Sequence, residues 1–177
     1  MLRSSEVIGL QVICLDTGAS AGRVKGILLE PGKKLVRALV LDKALGSRGY
    51  RTLDISMIKS IGKDAVVIES ERCLSKRQNI KKNKDLKTSD ELDSARIYTR
   101  EGEELGFVND ILFDLETASM EGFIISDGIV QDILTGKNMI PLLGEAVFSD
   151  EGIFIAREAH EEMINSGKGI KNVLKEE

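Results

Sequence analysis

The residues best suited to chemistry in this chain are four aspartates in its second half, Asp110, Asp114, Asp127 and Asp132. Asp110 and Asp114 would share one face of an extended strand, because side chains alternate between the faces with a period of two. Paired carboxylates can bind a divalent cation or carry out acid–base catalysis. Residues 89–177 contain 20 acidic side chains, however, so neighbouring carboxylates arise from composition alone. We therefore predict no metal site and no catalytic role for these aspartates.

The single histidine and the two cysteines lack the companions that catalysis or metal binding requires. His160 lies in a predicted C-terminal helix, distant in the sequence from Cys14 and Cys73. A zinc site or a nucleophilic dyad needs several such groups together. Two cysteines without CxxC spacing also predict no disulfide framework. We expect a solvated histidine, a buried Cys14 in a strand, a more exposed Cys73 and no cofactor.

Two glycine pairs with GxxxG spacing, Gly18 with Gly22 and Gly102 with Gly106, could suggest a phosphate-binding loop. Such a loop requires Lys followed by Ser or Thr after its last glycine, and neither pair has that continuation. We therefore interpret these glycines as turn residues, since glycine adopts positive φ without the penalty that a Cβ imposes.

The segment from Arg72 to Thr88 has seven basic residues and one acidic residue. Its basic side chains could contact RNA phosphates or acidic lipid head groups. The segment could instead be a solvated linker, or lie against the acidic second half of the chain. It has no interleaved aromatic residues for base stacking, which argues against sequence-selective RNA recognition. The candidate partner-binding residues in this segment are Lys76, Arg77, Lys81, Lys82 and Lys84.

The bulk composition favours a folded protein outside the membrane. The net charge of −4 divides into +3 for residues 1–71, +6 for 72–88 and −13 for 89–177. No apolar run reaches the roughly 18 to 20 residues of a membrane span, and the N-terminal sequence lacks a signal-peptide core. We expect a cytoplasmic protein without a membrane span, in which Ile, Leu and Val form the core because aromatic residues are 4% of the chain.

Short apolar runs separated by glycine and acidic turn residues predict β-strands for most of the chain. A helix is predicted only near the C-terminus, from about Glu158 to Asn165 with Gly167 as its cap. In the first seventy residues the predicted strands are LQVICL (10–15), RVKGILLE (23–30), LVRALVLD (35–42), Tyr50 to Ile55, Ile58 to Ile61 and Ala65 to Ile68.

The same pattern occurs twice in the chain. Residues 12–43 align with 96–127 without a gap, and six positions are identical, including the two glycine pairs and Ile13 with Ile97. Further on, the offset grows from 84 to 87, which places Val66 on Ile153. A tandem duplication of one small β unit explains this repetition.

A step in the strand alternation falls at the same place in each copy, Lys25-Gly26 and Asn109-Asp110. A β-bulge at this step would return the following apolar residues to the inner face. Loose patterning at a strand edge is the alternative explanation.

The phrases EGEELGFVNDILFDLETASMEGFIISDG and DTGASAGRVKGILLEPGKKLVRALVLD resemble the PRC-barrel family. The resemblance covers roughly residues 5–70 and 92–157, and Gly26 departs from the acidic residue that the family often has where Asp110 stands. It implies small β-barrels, found alone or in tandem, that act as binding and assembly modules. One member is the C-terminal domain of a ribosome maturation factor, and the family has no catalytic residues to transfer.

These observations predict an all-β protein with two PRC-barrel-like β-barrels in tandem and a short C-terminal helix. The predicted parts are repeat 1 (1–71), a basic linker (72–89), repeat 2 (90–157) and the helix and tail (158–177). We predict a non-enzymatic protein-interaction module with an unidentified protein partner, or with a second copy of itself. The alternative is an RNA- or ribosome-associated assembly factor that uses the basic linker. A metal-dependent binder or enzyme is a more distant third hypothesis.

Overall fold

The computed structural model describes residues 1–42, 50–77, 85–126, 138–149 and 151–167. Across these residues the chain is mostly β, with two sheets and three short α-helices, which confirms the predicted fold class. No helix in this described part is long and apolar enough to cross a lipid bilayer.

The chain begins with strand β1 (Leu2–Arg3) and helix α1 (Ser4–Val7), and the strands of the first sheet follow. The strands are β2 (Gln11–Cys14), β3 (Ser20–Glu30), β4 (Leu35–Leu41), β5 (Tyr50–Asp54), β6 (Ile58–Ile61), β7 (Ala65–Ile68) and β8 (Leu74–Arg77). Short 3-10 turns separate some strands, at Pro31–Lys33, Ile55–Met57 and Glu71–Cys73. The order across the sheet is β6-β7-β2-β3-β4-β5-β8.

The second sheet repeats this plan after strand β9 (Lys87–Thr88) and helix α2 (Ser89–Leu92). Its strands are β10 (Arg96–Thr99), β11 (Glu104–Phe113), β12 (Met120–Ser126), β13 (Asn138–Pro141), β14 (Val147–Phe148) and β15 (Ile153–Ile155). The order across this sheet is β13-β12-β11-β10-β15-β14, and helix α3 (Arg157–Gly167) follows β15 in the chain.

The six strands predicted for the first copy are all present, within a few residues of their predicted bounds. The C-terminal helix is present as well, and the predicted cap Gly167 is its last residue. The prediction missed β1, α1, β8, β9 and α2. These elements are short and carry polar residues, so they have no hydrophobic period to reveal them.

Strand pairing corrects the alignment of the two copies by one residue. Val12 lies opposite Gly22 and beside Val66, whereas Ile97 lies opposite Gly106 and beside Ile153. Val12 therefore corresponds to Ile97, and the sequence identity of Ile13 with Ile97 is not a structural equivalence. The turn before Gly18 holds one residue more than its counterpart. A slip of one residue would turn every inward side chain outward, so burial fixes this register.

The chain divides into two compact units. The first comprises Met1–Leu92 with Leu112–Met120, and the second comprises Asp93–Ile111 with Glu121–Glu177. Each has a core of aliphatic side chains, joined by Phe113 in the first unit and by Phe123 in the second. The fully buried side chains include Val12, Ile27, Leu28, Leu29, Leu39, Leu41, Leu53, Ile68 and Phe113 in the first unit, and Ile97, Phe123, Ile140 and Ile153 in the second.

Within the first unit, two short strands pair with residues distant in sequence. We call residues 2–7 (β1 and α1) and 87–92 (β9 and α2) hooks, since each is a two-residue strand followed by one helical turn. In the first hook, Leu2 pairs with Phe113 and Arg3 with Leu112. In the second hook, Lys87 pairs with Leu29 and Thr88 with Leu28. The strand of each hook thus pairs with the long strand of the other copy, β1 with β11 and β9 with β3.

Candidate functional site

The buried carboxylate of Asp110 serves the backbone of its own strand. Asp110 is 6% exposed in β11, and its Oδ1 accepts a hydrogen bond from the amide of Ile111 at 2.9 Å. The corresponding position in β3 is Gly26, which has no side chain to play this part. There the hydroxyl of Ser89 in the second hook accepts from the amide of Ile27 at 3.1 Å. Two different oxygens therefore satisfy the same buried N–H in the two copies.

In the first copy, the step in strand alternation next to the Ile27 amide is a β-bulge. The pairing of β3 with β4 shifts register between Val24 and Gly26, which confirms the bulge predicted at Lys25-Gly26. Val108, Asn109 and Asp110 show the same order of buried, exposed and buried residues as their counterparts in β3. A bulge leaves an amide without a partner on the neighbouring strand. Asp110 and Ser89 therefore have a structural role at these positions.

Asp114 organises the turn between β11 and β12. Its Oδ1 accepts hydrogen bonds from the amides of Thr117 and Glu116, at 2.9 and 3.0 Å, and from the Thr117 hydroxyl at 3.1 Å. These bonds, with the Thr117 amide first, hold the pKa of Asp114 below its ordinary range because they favour the charged carboxylate. Asp127 and Asp132 lie outside the described residues. Among the residues described, no three His, Cys, Asp or Glu side chains are grouped to hold a metal ion.

The equivalent turn in the first copy is built around Glu30, which the sequence analysis did not single out. Glu30 forms an ion pair with Lys33 at 2.6 Å and a second with the Arg37 guanidinium. The hydrogen bonds from Lys33 and then Arg37 hold the pKa of the Glu30 carboxyl below its ordinary range. In each copy an acidic residue, Glu30 or Asp114, stands at the end of the long strand. This shared position was the sequence signal for their common role in the turn.

Of the four GxxxG glycines, Gly18 and Gly102 lie in turns, as predicted, whereas Gly22 and Gly106 lie inside β3 and β11, which corrects that prediction. Gly18, Gly22, Gly102 and Gly106 have φ values of 70°, 129°, 90° and 132°, a region that side chains with a Cβ rarely adopt. A Cβ at Gly22 would also lie 2.8 Å from the Arg51 guanidinium. Gly18 and Gly102 shape the turns between β2 and β3 and between β10 and β11, and Gly22 and Gly106 shape the first part of the long strands that follow.

Cys14 is fully buried at the end of β2, as expected. Its burial, followed by nearby negative charge on Asp16, raises the pKa of the Cys14 thiol, so that the reactive thiolate is disfavoured. Cys73 and His160 are half-buried, in the turn before β8 and in α3 respectively.

Comparison with protein families agrees with this architecture. The PRC-barrel domain model matches the chain twice, over residues 1–72 and 84–157. The chain belongs to the PRC-barrel domain family. A search of curated proteins finds no match to it. The two matches are consistent with the predicted tandem duplication, and PRC-barrel domains occur in protein-interaction and assembly roles.

The basic segment from Arg72 to Thr88 includes a strand near each of its ends. Strand β8 begins at Leu74 and pairs with β5, with Lys76 opposite Arg51 and Arg77 opposite Tyr50. Near the other end, β9 pairs with β3. Secondary structure therefore occupies part of the predicted linker of 72–89. The other predicted contact residues, Lys81, Lys82 and Lys84, lie outside the described residues.

Each unit exposes the terminal strands of a sheet and a few apolar side chains. Among the described residues, β6 and β8 are the terminal strands of the first sheet, and β13 and β14 those of the second. Lys76 is exposed on β8. Large apolar side chains are exposed at Leu15 and Met57 in the first unit and at Leu143 and Val147 in the second.

Proposed function

We propose that this PRC-barrel protein is a non-enzymatic interaction module that assembles with a partner protein through its sheet ends and loops. The observation that carries the proposal is that both sheets end in terminal strands within the described residues. A terminal strand has a row of N–H and C=O groups on its outer side, which a partner can use. Exposed apolar side chains such as Met57 and Val147 add contact area on these units.

The carboxylates that could take part in catalysis or metal binding are instead engaged in structural hydrogen bonds and ion pairs. The carboxylates of Asp110 and Asp114 accept hydrogen bonds from backbone amides, and Glu30 is held by Lys33 and Arg37. Groups engaged in this way are less suited to bind substrate, because catalysis would first have to release them. This arrangement favours the interaction module over an enzyme or a metal-dependent binder.

Crosslinking mass spectrometry on native cells tests the proposal and identifies the partner. A lysine-reactive crosslinker should join one partner protein to lysines near the sheet ends, such as Lys59 on β6 and Lys76 on β8, which are exposed. The crosslinks should persist after ribonuclease treatment. Recovery of intrachain crosslinks alone would count against the proposal. A homo-oligomer would be identified by crosslinks that join a labelled copy of the chain to an unlabelled copy.

The basic segment favours a second candidate function, an RNA- or ribosome-associated assembly factor. Seven basic residues between Arg72 and Thr88 would supply phosphate contacts whose affinity falls steeply with salt. Co-sedimentation with ribosomal particles that is lost after ribonuclease treatment would support this candidate. The triple variant Lys81→Glu, Lys82→Glu and Lys84→Glu should then abolish co-sedimentation. We also propose a cytoplasmic location, which cell fractionation would test.

A further inference from the structure

Strand β8 has one paired side and one open side among the described residues. Its four residues pair with β5 from Leu53↔Leu74 to Tyr50↔Arg77, and no other strand follows β8 in the sheet order. Backbone groups of alternate residues in such a strand point away from the sheet. The open side of β8 can therefore form main-chain hydrogen bonds with another extended chain.

The second unit treats the corresponding end of its sheet differently. There β13 pairs with β12, as β5 pairs with β4 in the first unit. The segment that follows β15 forms helix α3, which lies against β13. The first unit instead adds a strand at this place. A helix does not present a row of free backbone groups along its side, but a terminal strand does.

The charge of β8 and its flank selects an acidic partner. Arg72 and Lys76 are both exposed, and the sequence from Arg72 to Thr88 has a net charge of +6. Glu71, the nearby acidic side chain, is 3.9 Å from Arg51. Antiparallel pairing of β8 with β8 of a second copy, in the register that places Lys76 opposite Lys76, would bring like charges together, and like charges directly opposite on neighbouring strands are destabilising. An extended segment with glutamate or aspartate would instead meet opposite charge.

We propose that β8 accepts an extended acidic segment of a partner protein as an additional strand. This inference rests on the proposed interaction function and names the surface and the chemistry of its partner. Main-chain hydrogen bonds would supply part of the affinity, and Lys76 would select acidic side chains. RNA is the competing ligand for the same positive charge, and the experiment separates the two.

The experiment uses the full chain and a fluorescent synthetic peptide of alternating valine and glutamate. Fluorescence anisotropy measures the dissociation constant, and hydrogen–deuterium exchange measures protection of the amides of residues 74–77. The wild type should bind the peptide and show slower exchange at β8. Lys76→Glu should weaken binding by about tenfold, which corresponds to about 1.4 kcal/mol.

Lys63→Glu is the matched control, because Lys63 is an exposed lysine in the turn between β6 and β7 and the substitution changes the net charge equally. Its effect should stay below about twofold, because β6 and β7 lie at the opposite end of the sheet order from β8 and Lys63 would not face the added strand. Equal weakening by both variants, or binding without protection of residues 74–77, would overturn the strand-addition proposal.

Polyuridylate added to the peptide complex supplies the RNA arm of the experiment. If polyuridylate binds more tightly than the peptide and leaves exchange at 74–77 unchanged, the basic charge serves RNA and the strand proposal is wrong. A partner that crosslinks in cells at other residues, while the β8 experiment fails, would leave the interaction function standing and remove only this surface.

Discussion

Leu35 and Ser119 lie opposite each other in an antiparallel β-bridge, and they are 84 positions apart in the sequence. The same offset relates the two repeats over this part of the chain. Each residue therefore pairs with its own counterpart at the start of a hairpin's second strand. Both belong to the first compact unit, because that unit includes Leu112–Met120.

The hydrogen bonds around this bridge repeat the same relationship. The Val36 amide donates to the Ala118 carbonyl oxygen at 2.8 Å, and the Met120 amide donates to the Lys34 carbonyl oxygen at 2.8 Å. Val36 and Met120 are counterparts, as are Lys34 and Ala118. The duplicated sequence thus forms a self-complementary pairing at equivalent points.

The backbone strain at this pairing predicts a stabilising substitution. Ala118 has φ of 57°, close to the 54° of its counterpart Lys34, and the left-handed region costs a residue with a Cβ about 1–2 kcal/mol. Ala118→Gly should raise the free energy of unfolding by up to about 1 kcal/mol, after the entropy that glycine adds to the unfolded chain. Urea denaturation measures this change.

Ala19→Gly provides the control for that experiment. Ala19 is exposed and does not have positive φ, so glycine there gains no relief of strain. We expect this variant to lose about 0.5–1 kcal/mol. A loss of similar size for Ala118→Gly would contradict the strain argument.

Ser89→Ala should destabilise the first unit. The substitution removes the oxygen that accepts from the buried Ile27 amide at 3.1 Å, and an unsatisfied buried amide costs about 1–3 kcal/mol. Urea denaturation gives the stability, and hydrogen exchange should become faster at Ile27. Ser60→Ala, an exposed serine on β6, is the control and should change stability by less than about 0.5 kcal/mol.

Gly122→Ala should destabilise the second unit through a steric clash. A Cβ at this position would clash with the Ile140 carbonyl oxygen and would lie 3.1 Å from Pro141 Cα. Because both atoms belong to the neighbouring backbone of β13, relief requires the strands to separate. We expect a loss of about 1–3 kcal/mol or more in thermal or urea unfolding. Gly32→Ala has open space around its Cβ and should be nearly neutral, so equal losses would refute the clash.

The turn carboxylates predict a loss of stability in acid. The pKa values of Glu30 and Asp114 are lower in the folded protein than their ordinary values. The unfolded chain therefore binds more protons as the pH falls, and the stabilisation is present above the unfolded pKa of about 4 and disappears below it. The double variant Glu30→Gln, Asp114→Asn should lose less stability than the wild type between about pH 6 and about pH 3.

Urea midpoints at the two pH values measure this difference. Glu116→Gln is a suitable control because the Glu116 side chain is exposed and the hydrogen bond to Asp114 comes from the Glu116 backbone amide. This variant should follow the wild type. An equal acid loss in the wild type and in the double variant would show that other groups control acid unfolding.

The pattern of apolar residues was sufficient to predict the main strands, because the short apolar runs of β3 and β4 are buried, as at Ile27, Leu28 and Leu29. It also located the bulge at Lys25-Gly26, where the alternation changes phase. It could not place the hooks, since Lys87 and Thr88 are polar and pair with residues nearly sixty positions away. The identity of Ile13 with Ile97 misled the alignment because both are aliphatic, and only strand pairing distinguishes the two registers.

The candidate site was predicted less completely than the fold. Asp110 and Asp114 were identified as notable, but their hydrogen-bond partners depend on backbone geometry that composition does not encode. The Glu30 cluster was missed because its members are spaced like ordinary surface charges. Lys76 was included for its charge alone, and its position on a terminal strand became evident only from the pairing of β8 with β5.

The exchange of hooks makes the two copies dependent on each other. A truncated polypeptide that ended before Lys87 would leave Leu28 and Leu29 without β9, the strand on the side opposite β4. A polypeptide starting after Val7 would leave Leu112 and Phe113 without β1, the strand on the side opposite β12. A gene that lost either half would therefore encode a repeat whose long strand lacks one of its neighbouring strands. Such a repeat would need another molecule to supply that strand, so selection should retain both halves together.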